Sequence, residues 1–421
     1  MNFIKTPVKG MCDMLPEDMR LRQRILSMIR ESYSRYGFME IETPAMEHIE
    51  NLLSDQGGEN EKLIFKVMKR GASFASALEK EQYDALADSG MRYDLTVPLA
   101  RYYAANSERL PSPFKALQIG NVWRADNPQK GRFRQFTQCD IDILGDESNL
   151  AEIELIGATS DMLLKIFQGT EVSGLTVHIN DRRILRAACL QAGFKEEDIK
   201  SVLISLDKYD KIGAEGVRKE LTENGFSGEC ADRYLKLYDT PETDCESFCS
   251  GIDKEYLKPE DTESLNTVIE SVKAMADQRM SIVFDPSLVR GMGYYTGTIF
   301  EITLNGYNFS IAGGGRYDEM IGRFSGNRVC ACGFSIGFER IITILKDMLK
   351  DSEKLPEGSL AVLVHKNVPQ KQKIQVFSEA MKLRSEGRTV SVLPMKKNLN
   401  AQFKRLEEEG YTEFKKVYPE D

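Results

Sequence analysis

The chain has few of the residues on which several common kinds of enzyme site depend. Only three histidines occur among its 421 residues, and none lies in a motif, which argues against acid–base catalysis by histidine. Its eight cysteines form no pair of CxxC sequences, so we expect neither a zinc site nor a disulfide framework, and reduced thiols favour a cytoplasmic location. The sequence has no run of eighteen apolar residues and no basic-then-apolar leader, and it therefore predicts neither a membrane span nor a secretory signal.

An excess of basic residues is also lacking, since 65 Asp and Glu outnumber 56 Lys and Arg and give a net charge of −9, but the charge is unevenly distributed. Residues 359–421 contain twelve Lys or Arg against eight Asp or Glu and carry +4, whereas the rest of the chain carries −13. An acidic body with a basic end suits a protein that binds nucleic acid through one module. A small domain whose helices have lysine-rich faces explains the count equally well.

The apolar spacing divides the chain into regions of different character, and 421 residues suffice for two or three domains. Helical spacing predicts a helix over 17–36 and a mostly helical insertion over about 182–278. Strand patterns return on both sides of Asn305-Gly306, which is a type I′ hairpin signal. A charged Pro- and Gly-containing linker at 351–358 precedes alternating strand and helix patterns, which predict a small α/β domain.

The most informative stretch is RADNPQKGRFRQFTQCDIDILG, residues 124–145. A polar loop separates Arg124 from an alternating segment in which Gln138, Asp140 and Asp142 share one face. The pattern predicts a long antiparallel hairpin with arginines at its mouth, suited to a polyphosphate, and a face suited to a small cationic or polar ligand. An exposed edge hairpin with solvated charges accounts for the charge pattern as well.

This stretch resembles motif 2 of the class II aminoacyl-tRNA synthetases, in the form found in histidyl-tRNA synthetases. Further signatures of that family occur in the expected order, and the resemblance runs from about Thr6 to the end of the chain. They are KGMCDMLPEDM (9–19), the motif 1 segment EIETP (40–44), MRYDLTVPLAR (91–101), LVRGMGYYTGTIFE (288–301), AGGGRYD (312–318) and the motif 3 segment GFSIGFERI (333–341). LVRGMGYYTG and AGGGRYD are the parts that indicate histidine rather than another amino acid.

The resemblance implies an α+β fold with three parts. These are a class II antiparallel-sheet catalytic core formed by residues 1–181 and 279–350, a helical insertion domain at 182–278, and a short α/β domain at 359–421 similar to an anticodon-binding domain. It also implies a homodimeric ATP-dependent, AMP-forming ligase that activates L-histidine and transfers it to tRNA(His) in protein biosynthesis.

Amino-acid activation joins a carboxylate to the α-phosphate of ATP, so the site must supply positive charge and alignment rather than a general base. By resemblance, Arg124 would bind the α-phosphate, Arg132 the outer phosphates and Arg340 the γ-phosphate side, while Phe136 would stack on adenine. Arg290 would neutralise the transferring phosphate, although an ordinary structural ion pair is its alternative role. Mg²⁺ would bridge phosphate oxygens, and no protein ligand is assigned to it.

Histidine requires acceptors for its ammonium group and partners for both imidazole nitrogens. The positions that match the family's ammonium contacts are Asp94, Thr96 and Gln138. Those that match the side-chain pocket are Asp142, Tyr294, Tyr295 and Tyr317, although Tyr295 and Tyr317 taken singly could be core aromatics. The motif 2 loop residues Gln129, Lys130 and Arg134 would meet the acceptor end of the tRNA.

Three consecutive glycines, Gly313 to Gly315, lack the following Lys-Ser/Thr of a phosphate loop. Close approach of the backbone to a bound amino acid is the better explanation for them.

The sequence departs from the family pattern at several points. Gly293 stands where the family usually has Asp, and Asp94 and Asp142 stand where Glu is often found. The C-terminal domain ends at about its third strand, where family members continue for two strands and a helix.

Two other functions stay open at this point. The regulatory subunit of ATP phosphoribosyltransferase resembles the same core and senses histidine without charging tRNA, but it typically loses the motif 2 arginines that this chain keeps. A synthetase paralogue that acts on something other than tRNA is the third possibility.

Overall fold

The computed structural model describes residues 3–53, 62–128, 133–237, 244–290, 293–307, 309–348 and 355–420. The chain divides into two compact units, Met1–Asp13 with Ile25–Met348, and Met14–Arg24 with Leu349–Asp421. Within the described ranges, no helix is both long and apolar enough to cross a membrane.

The first part of the chain leads from an amphipathic helix to the hairpin. Its elements are α1 (Pro16–Arg35), β1 (Met39–Ile41), β2 (Met46–His48), α2 (Ile49–Leu52), β3 (Lys66–Met68), α3 (Gly71–Glu79), β4 (Ala87–Met91), α4 (Thr96–Asn106), β5 (Phe114–Trp123) and β6 (Gln135–Leu144). The spacing over 17–36 predicted α1 correctly. Ile25, Ile29 and Tyr33 are fully buried, and Gly37 takes a positive φ of 80° just after the helix ends.

The next part is mostly helical and then returns to strands. Its elements are α5 (Leu150–Ile166), β7 (Leu175–Asp181), α6 (Arg182–Ala192), α7 (Ile199–Leu206), α8 (Tyr209–Glu223), α9 (Gly228–Lys236), α10 (Cys245–Ser250), α11 (Pro259–Met275), β8 (Met280–Phe284), β9 (Thr298–Leu304), β10 (Ser310–Arg316), α12 (Gly322–Ser325), β11 (Ala331–Ile336) and α13 (Phe338–Met348). The elements from α6 to α11 lie in the stretch that we propose as the insertion, 182–278.

An eight-stranded sheet in the order β1-β5-β6-β11-β10-β9-β7-β8 contains the hairpin as its second and third strands. β5 and β6 pair antiparallel along their whole length, and β6 also pairs antiparallel with β11. The predicted hairpin is therefore confirmed, whereas the alternative of an exposed edge hairpin is wrong because β6 has a neighbour on both sides. A smaller sheet, β2-β4-β3, lies in the same unit.

The hairpin predicted at Asn305-Gly306 is also present, as the antiparallel pair β9 and β10. Its turn is closed by the Tyr307 amide, which donates to the carbonyl of Leu304 at 3.0 Å. The expected type I′ turn is wrong, because Gly306 has a φ of 91° whereas Asn305 does not take a positive φ. Of the two central residues of this turn, only Gly306 takes the positive φ.

The second unit contains the predicted small α/β domain. Its elements are β12 (Leu360–Val364), α14 (Gln370–Ser385), β13 (Val390–Pro394), α15 (Leu399–Glu409) and β14 (Glu413–Val417). The three strands are parallel in the order β13-β12-β14. Alternate residues of β12 enter two different apolar clusters, one containing Val362 and Val376 and the other Leu363 and Leu406. Both faces of this sheet are thus covered, which explains the nearly continuous apolar run in β12.

Candidate active site

A row of polar side chains lies on the interior strand β6. Gln138, Asp140 and Asp142 occupy alternate positions of the strand, and their exposed fractions are 8%, 4% and 3%. Burial raises the pKa of Asp142 to about 7, an effect opposed by a hydrogen bond from Tyr317 and increased by the charge of Asp94. Burial and the nearby Asp142 raise the pKa of Asp140 well above its usual range. Carboxylates this poorly solvated create a strong preference for a positively charged ligand.

Tyr317 closes one side of this row. Its hydroxyl donates to Oδ1 of Asp142 at 2.5 Å, and its ring lies 5.9 Å from that of Tyr294 in an edge-to-face arrangement. Tyr294 in turn lies 4.8 Å from Tyr295. Gly333 of β11 is paired with Asp142, and a Cβ at Gly333 would overlap the carboxylate. The predicted residues of the histidine side-chain pocket are therefore adjacent to one another.

Asp94 stands at the start of α4. One of its carboxylate oxygens accepts a hydrogen bond from the amide of Val97 at 3.2 Å, in the manner of a helix N-terminal cap. Burial raises the pKa of Asp94 to about 6, although the Val97 amide and the charge of Arg124 oppose this shift. Thr96 follows two residues later, and its side chain partly offsets the rise that burial causes in the pKa of Tyr294.

Three buried polar atoms in this region have no hydrogen-bond partner among the described residues. Two are acceptors, Oδ2 of Asp94 and Oε1 of Gln138, and the third is a donor, Nε of Arg290. A buried polar group without a partner is costly, so such atoms indicate a ligand that supplies the missing bonds. Two acceptors near ionisable carboxylates and a donor on a guanidinium match the ammonium and the anionic end of an amino acid or its derivative.

Arg290 is held in a position that the sequence could not reveal. Its φ is 61°, a left-handed conformation that is unfavourable for a residue with a side chain. Its Nη1 donates to Glu301 of β9 at 3.1 Å. Burial alone would lower the pKa of Arg290, but Tyr295 and Glu301 reverse this and hold it above its ordinary value. The structural ion pair expected as the alternative role of Arg290 is thus present. The same pair also fixes a permanently charged group beside Tyr295.

The glycine run lies inside β10 rather than in a loop, which excludes a phosphate loop. A Cβ at Gly313 would collide with the guanidinium of Arg290, and one at Gly314 with the carbonyl of Gly333. The close approach seen here is made by the protein's own groups, since Gly313 makes room for Arg290 and Gly314 for the carbonyl of Gly333.

Arg124 and Phe136 face each other across the mouth of the hairpin. The guanidinium of Arg124 lies 5.1 Å from the centre of the Phe136 ring, and its Nε donates to the carbonyl of Tyr93 at 2.9 Å. Tyr93 directly precedes Asp94. The arginine proposed for the ATP phosphate is therefore hydrogen-bonded to the neighbour of the aspartate proposed for the ammonium group.

Two other predicted residues, Arg340 and Arg134, are held by contacts of their own. Arg340 in α13 donates to the carbonyl of Ser310, and its guanidinium lies 5.6 Å from the centre of the Phe309 ring. Arg134 donates through Nε to the carbonyl of Asp126, and its amide donates to the carbonyl of Gly10. Gln129, Lys130 and Arg132 lie outside the described residues.

Sequence reasoning gave no role to several polar residues of the site. Asp140 was placed on the alternating face of Gln138 and Asp142 but received no role of its own. Ser335 and Glu301 could not have been found, because they meet Asp140 and Arg290 only through the strand register. Across the described ranges, no group of three or more His, Cys, Asp or Glu residues is arranged to hold a metal ion.

Comparison with known proteins accounts for this combination of fold and site. The sequence profile of the histidyl-tRNA synthetases matches residues 10–341. This chain belongs to the histidyl-tRNA synthetase family. The match covers the whole proposed site, from Asp94 to Arg340.

Members of this family are similar to the chain over almost its full length. A histidine–tRNA ligase of Leifsonia xyli subsp. xyli is 42% identical over 97% of this chain and 94% of its own length. One of Christiangramia forsetii is 32% identical over 94% of this chain and 88% of its own.

Solved structures share the fold as well. The histidyl-tRNA synthetase of Nostoc sp. PCC 7120 is similar with a TM-score of 0.74 at 28% identity, over 97% of this chain and 90% of its own. A Bacillus halodurans protein described as an ATP phosphoribosyltransferase regulatory subunit/histidyl-tRNA synthetase has a TM-score of 0.76 at 20% identity, over all of both chains, which shows the α+β fold alone.

Proposed function

We propose that this chain is a histidine–tRNA ligase that forms histidyl-adenylate from L-histidine and ATP and transfers the histidyl group to tRNA(His). The single observation that carries the proposal is the set of unpartnered buried atoms, Asp94 Oδ2, Gln138 Oε1 and Arg290 Nε, which suits an amino acid. Relatives that are 32–43% identical and are named as histidine–tRNA ligases support the choice of histidine.

In this proposal the amino acid lies along β6. Asp94, Thr96 and Gln138 accept from or contact the ammonium group, and the pocket formed by Asp142, Tyr294, Tyr295 and Tyr317 holds the imidazole. Asp142 and Tyr317 are fixed by their mutual hydrogen bond, and both keep acceptor capacity that the imidazole can use. Selectivity for histidine then comes from binding alone.

ATP lies at the mouth of the hairpin. Arg124 contacts the α-phosphate and Phe136 stacks on adenine, while Arg132 and Arg340 meet the outer phosphates. Arg290 neutralises the transferring phosphate, because its guanidinium is permanently charged and fixed by Glu301. These groups need only align two anions and offset their charge, since the attacking carboxylate carries no proton to be removed.

Mg²⁺ accompanies ATP as a substrate complex. It usually binds phosphate oxygens with one or two carboxylates and keeps several waters. Glu339 suits this role because it precedes Arg340 and its Oε1 accepts from the amide of Thr137, next to Phe136. Bound there, the ion would reduce the repulsion between the phosphates and the incoming carboxylate.

The tRNA makes two contacts in this proposal. Its acceptor end meets the motif 2 loop through Gln129, Lys130 and Arg134. The anticodon stem meets the small parallel sheet, where Lys366 follows β12 and the exposed pair Lys396 and Lys397 follows β13. Carboxyl ends of neighbouring parallel strands meet at one edge, so these lysines lie along a common basic edge.

The chain forms a homodimer in this proposal. β1 is an edge strand of the large sheet, and Met39 on it is 42% exposed. A surface depression of about 450 Å³ beside it is lined by residues of α1, β1 and β5. An edge strand that carries an exposed methionine favours pairing with a second copy. Light scattering at micromolar concentration tests this proposal. We also propose a cytoplasmic location, in keeping with eight free cysteines, all of which lie in the described ranges.

Histidine-dependent ATP–pyrophosphate exchange tests the proposed function. We expect exchange that requires histidine and Mg²⁺ and that the Arg124→Ala variant loses. No exchange above background at saturating histidine, together with measurable histidine binding, would instead favour a histidine sensor. Exchange without charging of tRNA(His) would favour a paralogue with another acceptor.

A further inference from the structure

Asp140, in the middle of β6, is held in a closed set of hydrogen bonds with two neighbours. The Ser335 hydroxyl donates to Oδ1 of Asp140 at 2.6 Å. Nε2 of Gln138 donates to the Ser335 hydroxyl at 3.0 Å and lies 3.4 Å from Oδ2 of Asp140. The three side chains form a triangle, because Asp140 and Ser335 are paired across β6 and β11 and Gln138 shares the face of Asp140.

This triangle fixes the direction of the Gln138 amide. Both hydrogens of an amide nitrogen can be donated, and here they have acceptors in Ser335 and Asp140. The opposite end of the amide, Oε1, is buried and has no partner among the described residues. A reversed amide would place this oxygen against the Asp140 carboxylate and would lose both donated bonds.

The direction of the amide decides what the pocket can bind. With the oxygen outward, Gln138 offers an acceptor that supplements the unpartnered Oδ2 of Asp94. With the nitrogen outward, it would offer two donors to an ammonium group, which has only donors itself. A pocket for an amino acid therefore needs the first orientation and is blocked by the second.

We propose that Asp140 is a positioning residue for recognition of the ligand's ammonium group. Directly and through Ser335, its carboxylate holds the Gln138 amide with the oxygen toward the ammonium. The inference rests on the proposed function for the identity of the ligand, and it adds a residue that acts through Gln138 rather than by touching histidine.

The electrostatic surroundings of Asp140 fit this role. Burial and the charge of Asp142 raise its pKa well above the usual range, whereas the Ser335 hydrogen bond and the charge of Arg124 lower it. An ammonium group that binds nearby favours the ionised carboxylate, which can only accept hydrogen bonds. Ligand binding and the correct amide orientation therefore stabilise each other.

The first test is the substitution Asp140→Asn in the full chain. The amide that this substitution introduces can donate to Oε1 of Gln138, so the Gln138 amide turns round. In the exchange assay we expect the KM for histidine to rise about tenfold or more, while kcat and the KM for ATP change by less than about threefold. Ser335→Ala removes the other support of the amide and should act in the same direction.

A second test separates positioning from a direct or merely structural effect. In a Gln138→Ala background, Asp140→Asn should change the KM for histidine by less than about twofold, because the group that it orients is gone. In a Gln138→Glu background, Asp140→Asn should not raise the KM for histidine, because a carboxylate presents an oxygen in either orientation. Recovery of histidine affinity in the double variant, relative to Asp140→Asn alone, is the expected rescue.

Three outcomes would overturn the inference. They are an unchanged KM for histidine in Asp140→Asn, an equal loss in the Gln138→Ala background, and no rescue by Gln138→Glu. The second outcome would mean that Asp140 attracts the ammonium by its own charge. The unmodified protein is assayed in parallel, and its histidine-dependent exchange separates a failure of this inference from a failure of the proposed function.

Discussion

The hydroxyl of Tyr317 donates a 2.5 Å hydrogen bond to Asp142, and both side chains are at least 97% buried. Tyr317 directly follows β10, whereas Asp142 lies in β6, with β11 between these strands. The bond therefore joins two segments that are distant in sequence. It also holds the carboxylate proposed for the imidazole in one position before any ligand arrives.

Tyr317→Phe should raise the KM for histidine by about tenfold or more. A hydrogen bond to a charged group contributes about 1.5–3 kcal/mol, and its loss leaves a buried carboxylate short of a donor. The KM for ATP should change little. Tyr411→Phe, which removes a 2.6 Å hydroxyl bond to Ser391 in the second unit, is the matched control. Equal effects of the two substitutions on the KM for histidine would contradict the assignment of Tyr317.

Arg290→Lys should lower kcat by about a hundredfold and leave the Kd for histidine within about threefold. Lysine keeps the charge but cannot reproduce a fixed guanidinium, and loss of a group that acts in the transition state reduces turnover. Exchange kinetics and calorimetric binding measure the two quantities. The control is Arg279→Lys, at an arginine paired with Asp277 on the surface of the same unit. Weak histidine binding together with normal turnover at saturating histidine would contradict the role assigned to Arg290.

Asp94→Asn should stabilise the unliganded protein at alkaline pH while weakening histidine binding. Burial raises the pKa of Asp94 to about 6, from an ordinary value of 3.8. The folded state thus binds this proton more tightly than the unfolded state, and the aspartate costs stability as the pH rises from about 4 to 6. We expect a gain of about 1–3 kcal/mol at pH 8 that disappears below pH 4.

Urea unfolding at the two pH values measures this gain. Asp88→Asn changes an exposed aspartate of β4 and is the matched control. An Asp94→Asn variant that is less stable than the original protein at pH 8 would contradict this prediction. It would mean that contacts in the folded protein stabilise the ionised carboxylate by more than its burial costs.

Reversing the charge of Lys396 and Lys397 together should weaken tRNA binding and leave histidine-dependent exchange unchanged. Each phosphate contact that is lost lowers the salt dependence of binding, so the slope of log K against log salt should fall by about 1–2. The matched control is the reversal of Lys382 and Lys404, two exposed lysines on α14 and α15. Equal weakening by both pairs of reversals would mean that tRNA binding depends on the overall charge of the domain and not on the proposed basic edge.

The sequence predicted the hairpin strand and its polar face correctly, because one segment carried the whole pattern. The alternation of Gln138, Asp140 and Asp142 gave the hairpin and its polar face, because a strand side chain can only point to one of two sides. It could not reveal that Ser335 faces Asp140, since that contact follows from the register between β6 and β11.

The remaining differences have a similar origin. Glu301 only ends a motif in the sequence, and it becomes the partner of Arg290 when β9 and β10 pair. The turn at Asn305 differs in type because sequence preference names the residues that tolerate a positive φ and does not force them to adopt it. The contacts of Arg340 with Phe309 and Ser310 likewise depend on where α13 lies beside β10.

The pairing of Gly333 with Asp142 has a consequence for attempts to alter the choice of amino acid. A pocket that is bounded by side chains can be enlarged by trimming one of them, but Gly333 has no side chain to trim. Acceptance of bulkier histidine analogues must therefore be sought on the tyrosine side, and libraries randomised at position 333 should yield mostly inactive clones. During directed evolution, the backbone of β11 would therefore limit how far this side of the pocket can be enlarged.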